Sequence, residues 1–139
     1  MQPEFLELKT RLAEVQDLTK AAGLLGWDQR TLMPARGAAV RAEMLATLGK
    51  LAHEKFTSDK TGRLLENLRP YEESLDYDSD EASLIRVARR DYQKAMRVPS
   101  SLRADISRLS AQASEVWIQA RKRSDFAAFL PYLQRHVEL

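Results

Sequence analysis

A chain of 139 residues suits one domain, of a size that buries roughly 70% of its unfolded surface. Its hydrophobic fraction of 44% and charged fraction of 30% describe an ordinary soluble globular protein, and a net charge of +2, with acids and bases intermixed, excludes a strong field for nucleic acid. The absence of cysteine excludes disulfides and thiolate metal sites, and five Gly and five Pro are too few turn residues for a many-stranded fold.

The N-terminus, MQPEFLELKTRL, has acids where a secretory leader would carry a positive region followed by an apolar run. No segment approaches the roughly 18 apolar residues of a membrane span. These features predict a cytoplasmic protein.

From Phe5 the positions Phe5, Leu8, Leu12, Val15, Thr19, Ala22 and Gly26 fall at alternating spacings of three and four, which holds them on one helical stripe. Pro3 suits the first turn, where its missing N–H is harmless, and the helix is expected to reach about Trp27 and to stop before Pro34. A second helix is expected from near Ala38, with Val40, Met44, Leu48 and Leu51 on its core face. Ser58 reads as the cap of a short third helix through Leu64, Leu65 and Leu68, stopped by Pro70. YEESLDYDSD then reads as an acidic connector. Asp78, followed three residues later by Glu81, has capping-box spacing and announces a fourth helix that carries Leu84, Val87, Ala88, Asp91 or Tyr92, and Ala95, and ends before Pro99.

Ser100 or Ser101 is expected to cap a fifth helix whose stripe is Leu102, Ile106, Leu109, Ala113, Val116 and Ala120. The bases of ARKRSD complement the dipole at its end, and Ser124 or Asp125 can cap a sixth helix. In that last segment, DFAAFLPYLQRHVEL, Pro131 is expected to impose a kink or a break. The segment is still periodic at Leu139, which reads as part of something longer. The pattern as a whole predicts an all-α fold of five to six helices with long antiparallel pairs, forming one helical domain over 1–139.

Chemistry is sparse in this pattern. His53-Glu54 begins like the helical zinc motif HExxH, but Thr57 stands where the second His is needed, and His136 has no ligand neighbours. Asp76, Asp78 and Asp80 occupy the first, third and fifth positions of a calcium loop, yet Glu81 replaces the required Gly and Val87 the closing Glu. Arg86, Arg89, Arg90, Lys94 and Arg97 share one helix and could meet phosphates, but upstream acids and Asp91 can pair with them, so a solvated face is the simpler reading. Trp27 and Asp28, six residues before a proline, read as a buried indole anchor and a turn-capping carboxylate.

The stretch LLGWDQRTLMPARGAAVRAEMLATLGKLAHEKFT carries a resemblance. Trp27-Asp28-Gln29, Met33-Pro34, Gly37, Arg41-Ala42-Glu43 and Leu45-Ala46-Thr47-Leu48 resemble the N-terminal region of the carboxypeptidase Taq family of zinc metallocarboxypeptidases. Ala88 to Pro99 and Asp125 to Leu139 resemble later parts of the same region, so the likeness covers nearly the whole chain. Arg36 stands where a small residue is common, and Met44 where Gln is common.

The resemblance implies a mostly helical enzyme that removes single residues from peptide C-termini with a zinc-activated water held by an HExxH helix and a further acid. Those motifs follow the region covered here, so no catalytic, cofactor or metal residue is carried onto this chain. Trp27, Asp28, Gln29, Met33, Pro34, Gly37, Arg41 and Glu43 are family-signature residues with a structural role. The implied partners are the remainder of the enzyme, peptide substrates through it, and a second copy. Neither nucleic acid nor membrane is implied.

The expected role is a wall or lid of the substrate groove, inactive by itself. The alternative is a stand-alone helical interaction module derived from that enzyme; a nucleic-acid binder using the Arg86 to Arg97 face is a weaker rival. Helices that cover a larger body leave apolar stripes exposed in isolation. Self-association is therefore expected, through the Leu102 to Ala120 seam or the first helix.

Overall fold

The computed structural model describes residues 2–139, and these contain helices and no strand. The helices are α1 (Pro3–Thr31), α2 (Ala38–Phe56), α3 (Asp59–Asn67), α4 (Arg69–Ser74), α5 (Asp80–Ala95), α6 (Ser100–Lys122) and α7 (Phe126–Glu138), with a 3-10 turn at Ala35–Gly37. None is long and apolar enough to cross a membrane. The fold is all-α, as the periodicity requires. Its contacts divide it into two compact units, to both of which α1 and α2 contribute.

One unit comprises the chain up to Asp17 together with Ala52–Pro99. Its core is Phe5 and Leu8 of α1, Leu65 and Leu68 of the α3 region, and Ile85 and Ala88 of α5, with Leu12, Tyr71, Leu84 and Tyr92 packed against them. Each large apolar side chain buried there contributes about 1.5–3 kcal/mol. Arg11 fastens α1 to the α2–α3 junction: its Nη2 donates to the Ser58 hydroxyl at 2.7 Å and its Nε to the buried Thr61 hydroxyl at 3.2 Å. Ser58 also caps α3 by accepting from the Thr61 N–H, as its position predicts.

Three details of this unit differ from the sequence reading. Pro70 does not end the helical region; it sits in the first turn of α4, where no N–H is needed, and Leu68 serves as both the end of α3 and the start of α4. The cap of α5 is Ser79, accepting from Ala82 N–H at 3.3 Å, and not Asp78, whose N–H instead donates to the Asp76 carboxylate. The inward face of α5 is Ala82, Ile85 and Ala88, while Val87 is exposed.

The other unit comprises Leu18–Leu51 and Ser100–Leu139. Its buried apolar residues are mostly small: Ala42 and Ala46 from α2, and Leu109, Ala111, Ala113 and Ala120 from α6. The expected core face of α2 is therefore out of phase, because Val40, Met44 and Leu51 are exposed and the alanines point inward. Small residues let helix backbones approach closely. At Gly49, one turn beyond Ala46, an added Cβ would lie 2.7 Å from the Ser107 hydroxyl of α6. Leu109, Ala113 and Ala120 of the expected seam are already used inside the unit.

The joint between α6 and α7 is a Schellman closure. Ser124 has a positive φ of 54°, its N–H donates to Arg121 carbonyl at 3.2 Å, and Asp125 N–H donates to Ala120 carbonyl at 2.8 Å. Asp125 then caps α7 through the Ala128 N–H at 3.2 Å. α7 runs through Pro131 without interruption. Pro131 is its sixth residue, so one carbonyl, that of Ala127, loses its helical donor.

Candidate functional site

The signature residues lie together around the α1–α2 corner, inside the second unit. The end of α1 closes through the Asp28 carbonyl, which accepts from the N–H groups of both Leu32 and Met33 at 3.0 Å. Pro34 is extended and stops the helix, and its carbonyl accepts from Gly37 N–H at 2.8 Å to form the 3-10 turn. A Cβ at Gly37 would stand 3.2 Å from Met33 Cγ, so the glycine leaves room for the methionine side chain to fold over the turn.

Arg41, in the first turn of α2, reaches back across this corner. It donates to the Asp28 carboxylate at 2.6 Å and to the Leu25 carbonyl at 2.5 Å. The Asp28 side chain is thus held by a guanidinium and does not cap the turn; the backbone carbonyl does that work. Gln29 is buried, and its amide donates to the Ala111 carbonyl at 3.0 Å and to the Glu115 carboxylate at 3.2 Å, both on α6. Glu43 takes a two-pronged contact from Arg108 of α6, at 2.6 and 3.1 Å, and Arg108 also holds Asp105. The hydrogen bond from Arg108, opposed by partial burial and aided by its charge, lowers the Glu43 pKa below the ordinary carboxylate value.

Trp27 departs from expectation. The indole is 53% exposed and is not a buried anchor. Positions two apart on a helix diverge by about 200°, so Trp27 and the inward Gln29 cannot both face α6. The α6 residues that complete the corner, Ala111, Glu115 and Arg108, carry no mark in the sequence. Ala111 acts through its carbonyl, which any residue would supply.

The candidate chemistry set aside in the sequence has ordinary partners in the structure. His53 Nε2 donates to the Val98 carbonyl at 2.6 Å; His136 is held by the Tyr132 carbonyl at 2.9 Å and the Ser110 hydroxyl at 3.2 Å. On α5, Arg89 pairs with Glu72 at 2.6 Å, Arg90 with Asp91 at 2.9 Å, and Arg86 stacks on Tyr77. Within the first unit a mostly apolar groove of about 720 Å³ is lined by Leu12, Val15, Phe56, Leu84 and Val87, among others. Among the described residues, no three His, Asp or Glu side chains converge so as to hold a metal ion.

The family model for the carboxypeptidase Taq (M32) metallopeptidase matches residues 7–139. Thermostable carboxypeptidase 1 of Thermus thermophilus is 34% identical over 122 residues, covering 88% of this chain and 24% of that protein. Carboxypeptidase 1 of Bacillus subtilis is 30% identical over 135 residues, covering 97% of this chain and 26% of that protein. The crystal structure of BsuCP superposes with a TM-score of 0.92 at 26% identity, covering 99% of this chain and 27% of the other. The structure of CHT gives 0.68 at 37% identity, with the same coverage. The chain thus spans about a quarter of the length of the curated relatives it matches.

Proposed function

The chain belongs to the carboxypeptidase Taq (M32) metallopeptidase family, and from that premise we propose that it forms the N-terminal helical wall, or lid, of the substrate groove of a cytoplasmic metal-dependent carboxypeptidase. The parent reaction is release of single residues from peptide C-termini with the aid of zinc. The observation that carries this reading is the family match over residues 7–139.

Among the described residues no three potential ligands converge and His53 is engaged by a backbone carbonyl, so these residues do not fit a zinc centre. The metal and its water chemistry therefore belong to the three-quarters of the relatives' length that this chain does not span, and no step of hydrolysis is routed through these residues. Their part is mechanical. The corner held by Asp28, Arg41, Gln29 and Glu43 fixes the end of α1 and the start of α2 against α6. In an enzyme of this family it would hold one wall of the groove in place.

Alone, the chain is inactive and binds no zinc tightly. After incubation with zinc and desalting, metal analysis is expected to find well below one equivalent, and a blocked dipeptide is expected to remain uncleaved. One equivalent of retained zinc together with hydrolysis would overturn the proposal.

A further inference from the structure

In the first unit a pocket of about 330 Å³ lies between α4, the connector that follows it and the start of α5. Two arginines of α5, three residues apart and so on one face, line it with different commitments. Arg89 donates to the Glu72 carboxylate at 2.6 Å and to the Leu65 carbonyl at 3.1 Å, and its buried Nε still has no acceptor. Arg86 stacks on the Tyr77 ring, 3.9 Å from its centroid, and donates to the Tyr77 carbonyl at 3.2 Å and the Ser83 hydroxyl at 3.1 Å. Both of those acceptors are neutral. Among the described residues the Arg86 charge meets no carboxylate, and three of its five N–H groups stay unused.

Glu73 of α4 lines the same pocket, and among the described residues its carboxylate has no hydrogen-bond or ion-pair partner. Arg86 and Glu73 do not pair with each other either. One small pocket thus presents a cation and an anion that are both uncompensated, while its other charges are taken: Arg89 by Glu72, and Arg69 by Glu66 at 2.9 Å. Leu75 and the buried Ala82 supply an apolar wall.

We propose that this pocket binds a free α-amino acid as its zwitterion, with the carboxylate on Arg86, the ammonium on Glu73 and an apolar side chain against Leu75 and Ala82. A guanidinium offers a carboxylate two parallel N–H bonds, and the Tyr77 ring fixes the Arg86 fork before the ligand arrives. A zwitterion gains both contacts without displacing an existing ion pair. An inorganic dianion would gain Arg86 but face Glu72 and Glu73, and a metal cation would face three arginines. The volume stands at the small end of ligand pockets, which span about 300–1,000 Å³, and suits one residue rather than a peptide. The site uses only residues of α4, α5 and their connector and does not rest on the carboxypeptidase reading.

Titration of the isotope-labelled chain with L-leucine, followed by NMR, tests this directly. The amides of Ala82 and Arg86 are expected to shift with a dissociation constant on the order of 1 mM, as suits so small a ligand. Leucinamide, which lacks the carboxylate, and isocaproate, which lacks the ammonium, should each bind at least about 10-fold more weakly. Arg86→Gln should weaken leucine by about 10-fold and leave leucinamide unchanged. Glu73→Gln, at an exposed position where folding is not at stake, should weaken leucine similarly and leave isocaproate unchanged. Arg86→Lys keeps the charge without the fork and should fall between the parent and Arg86→Gln. Absence of any shift up to about 20 mM leucine overturns the proposal. So does isocaproate or inorganic phosphate binding as tightly as leucine, which would mark a simple anion site. Leucine binding indifferent to both Arg86→Gln and Glu73→Gln would place the contact elsewhere and overturn it too.

Discussion

Arg41 donates to the Asp28 carboxylate at 2.6 Å and, with its other terminal nitrogen, to the Leu25 carbonyl at 2.5 Å. The guanidinium is largely covered, with 14% of its side chain exposed against 33% for Asp28. Arg41 therefore serves both as ion-pair partner of Asp28 and as an added donor to a carbonyl inside α1, six residues before the helix ends. Arg41→Ala leaves a carboxylate and a carbonyl without this donor in a half-buried corner. The expected loss is about 2 kcal/mol of unfolding free energy, measured by urea denaturation. Arg41→Lys should recover less than half, because one ammonium cannot reproduce the two-armed geometry. Asp28→Asn, which keeps an acceptor, should cost less than Arg41→Ala. Equal stability of Arg41→Ala and the parent chain would refute this account of the corner.

Glu43 and Arg108 supply the pH dependence of the same unit. The Arg108 hydrogen bond is the main reason the Glu43 pKa is lowered, and the charged pair raises that of Arg108 in turn. A carboxylate with a folded pKa below its unfolded one contributes stability above the ordinary range, near 4.5, and that contribution is lost as pH falls through the lowered folded value. Glu14, lowered chiefly by its hydrogen bond with Lys55, behaves likewise in the first unit. Carboxyl-carbon NMR titration should give a Glu43 midpoint below 4.5 in the parent and a return toward it in Arg108→Gln. A midpoint unmoved by that substitution would remove Arg108 as the cause.

Helices were the most legible part of this chain, because stripes such as Phe5–Leu8–Leu12 and caps such as Ser58 and Asp125 are local signals that the packing respects. The facing of a helix was less so. α2 has two candidate faces, one of Val40, Met44 and Leu51 and one of Ala42 and Ala46, and size alone points to the first. Close approach of backbones favours the second, and the distance between helices is a tertiary quantity absent from a one-helix pattern. The corner shows the same divide. Asp28, Gln29, Arg41 and Glu43 were legible as a group from their resemblance to a family. That Trp27 lies half outside, or that Arg108 completes the group from 65 residues away, was not.

Ser124 joins α6 to α7 at φ 54°, a conformation that an L side chain adopts at a cost of about 1–2 kcal/mol and glycine adopts freely. Its backbone already makes the hydrogen bonds of a Schellman closure, so a substitution need only relieve the strain. Ser124→Gly is expected to stabilise the chain by about 1 kcal/mol, read as a rise in thermal midpoint, and Ser124→Val to destabilise it. If Ser124→Gly lowers the midpoint, greater freedom of the unfolded chain outweighs the relief.

The helical glycines separate into two kinds with opposite signs. At Gly23 and Gly26 of α1 an added Cβ meets nothing within 4 Å, and neither has a positive φ. Gly→Ala there removes unfolded-state freedom and should stabilise by about 0.5–1 kcal/mol at each position. At Gly62 of α3 the same Cβ would stand 2.5 Å from Tyr92 Oη and 3.1 Å from its Cζ. The Tyr92 ring is itself braced edge-on against Phe56, with centroids 6.1 Å apart, so it cannot swing aside freely. Gly62→Ala should therefore destabilise by about 1–3 kcal/mol despite its gain in helix propensity. Tyr92→Phe removes the nearer atom but leaves the ring carbon, so the pair Gly62→Ala/Tyr92→Phe should recover only part of the loss. Gly62→Ala/Tyr92→Leu should relieve the overlap of Gly62→Ala in full. Its cost relative to Tyr92→Leu alone should fall to zero or change sign in a double-mutant cycle. Additive penalties in that cycle would show that the glycine is required for some reason other than the approach of Tyr92.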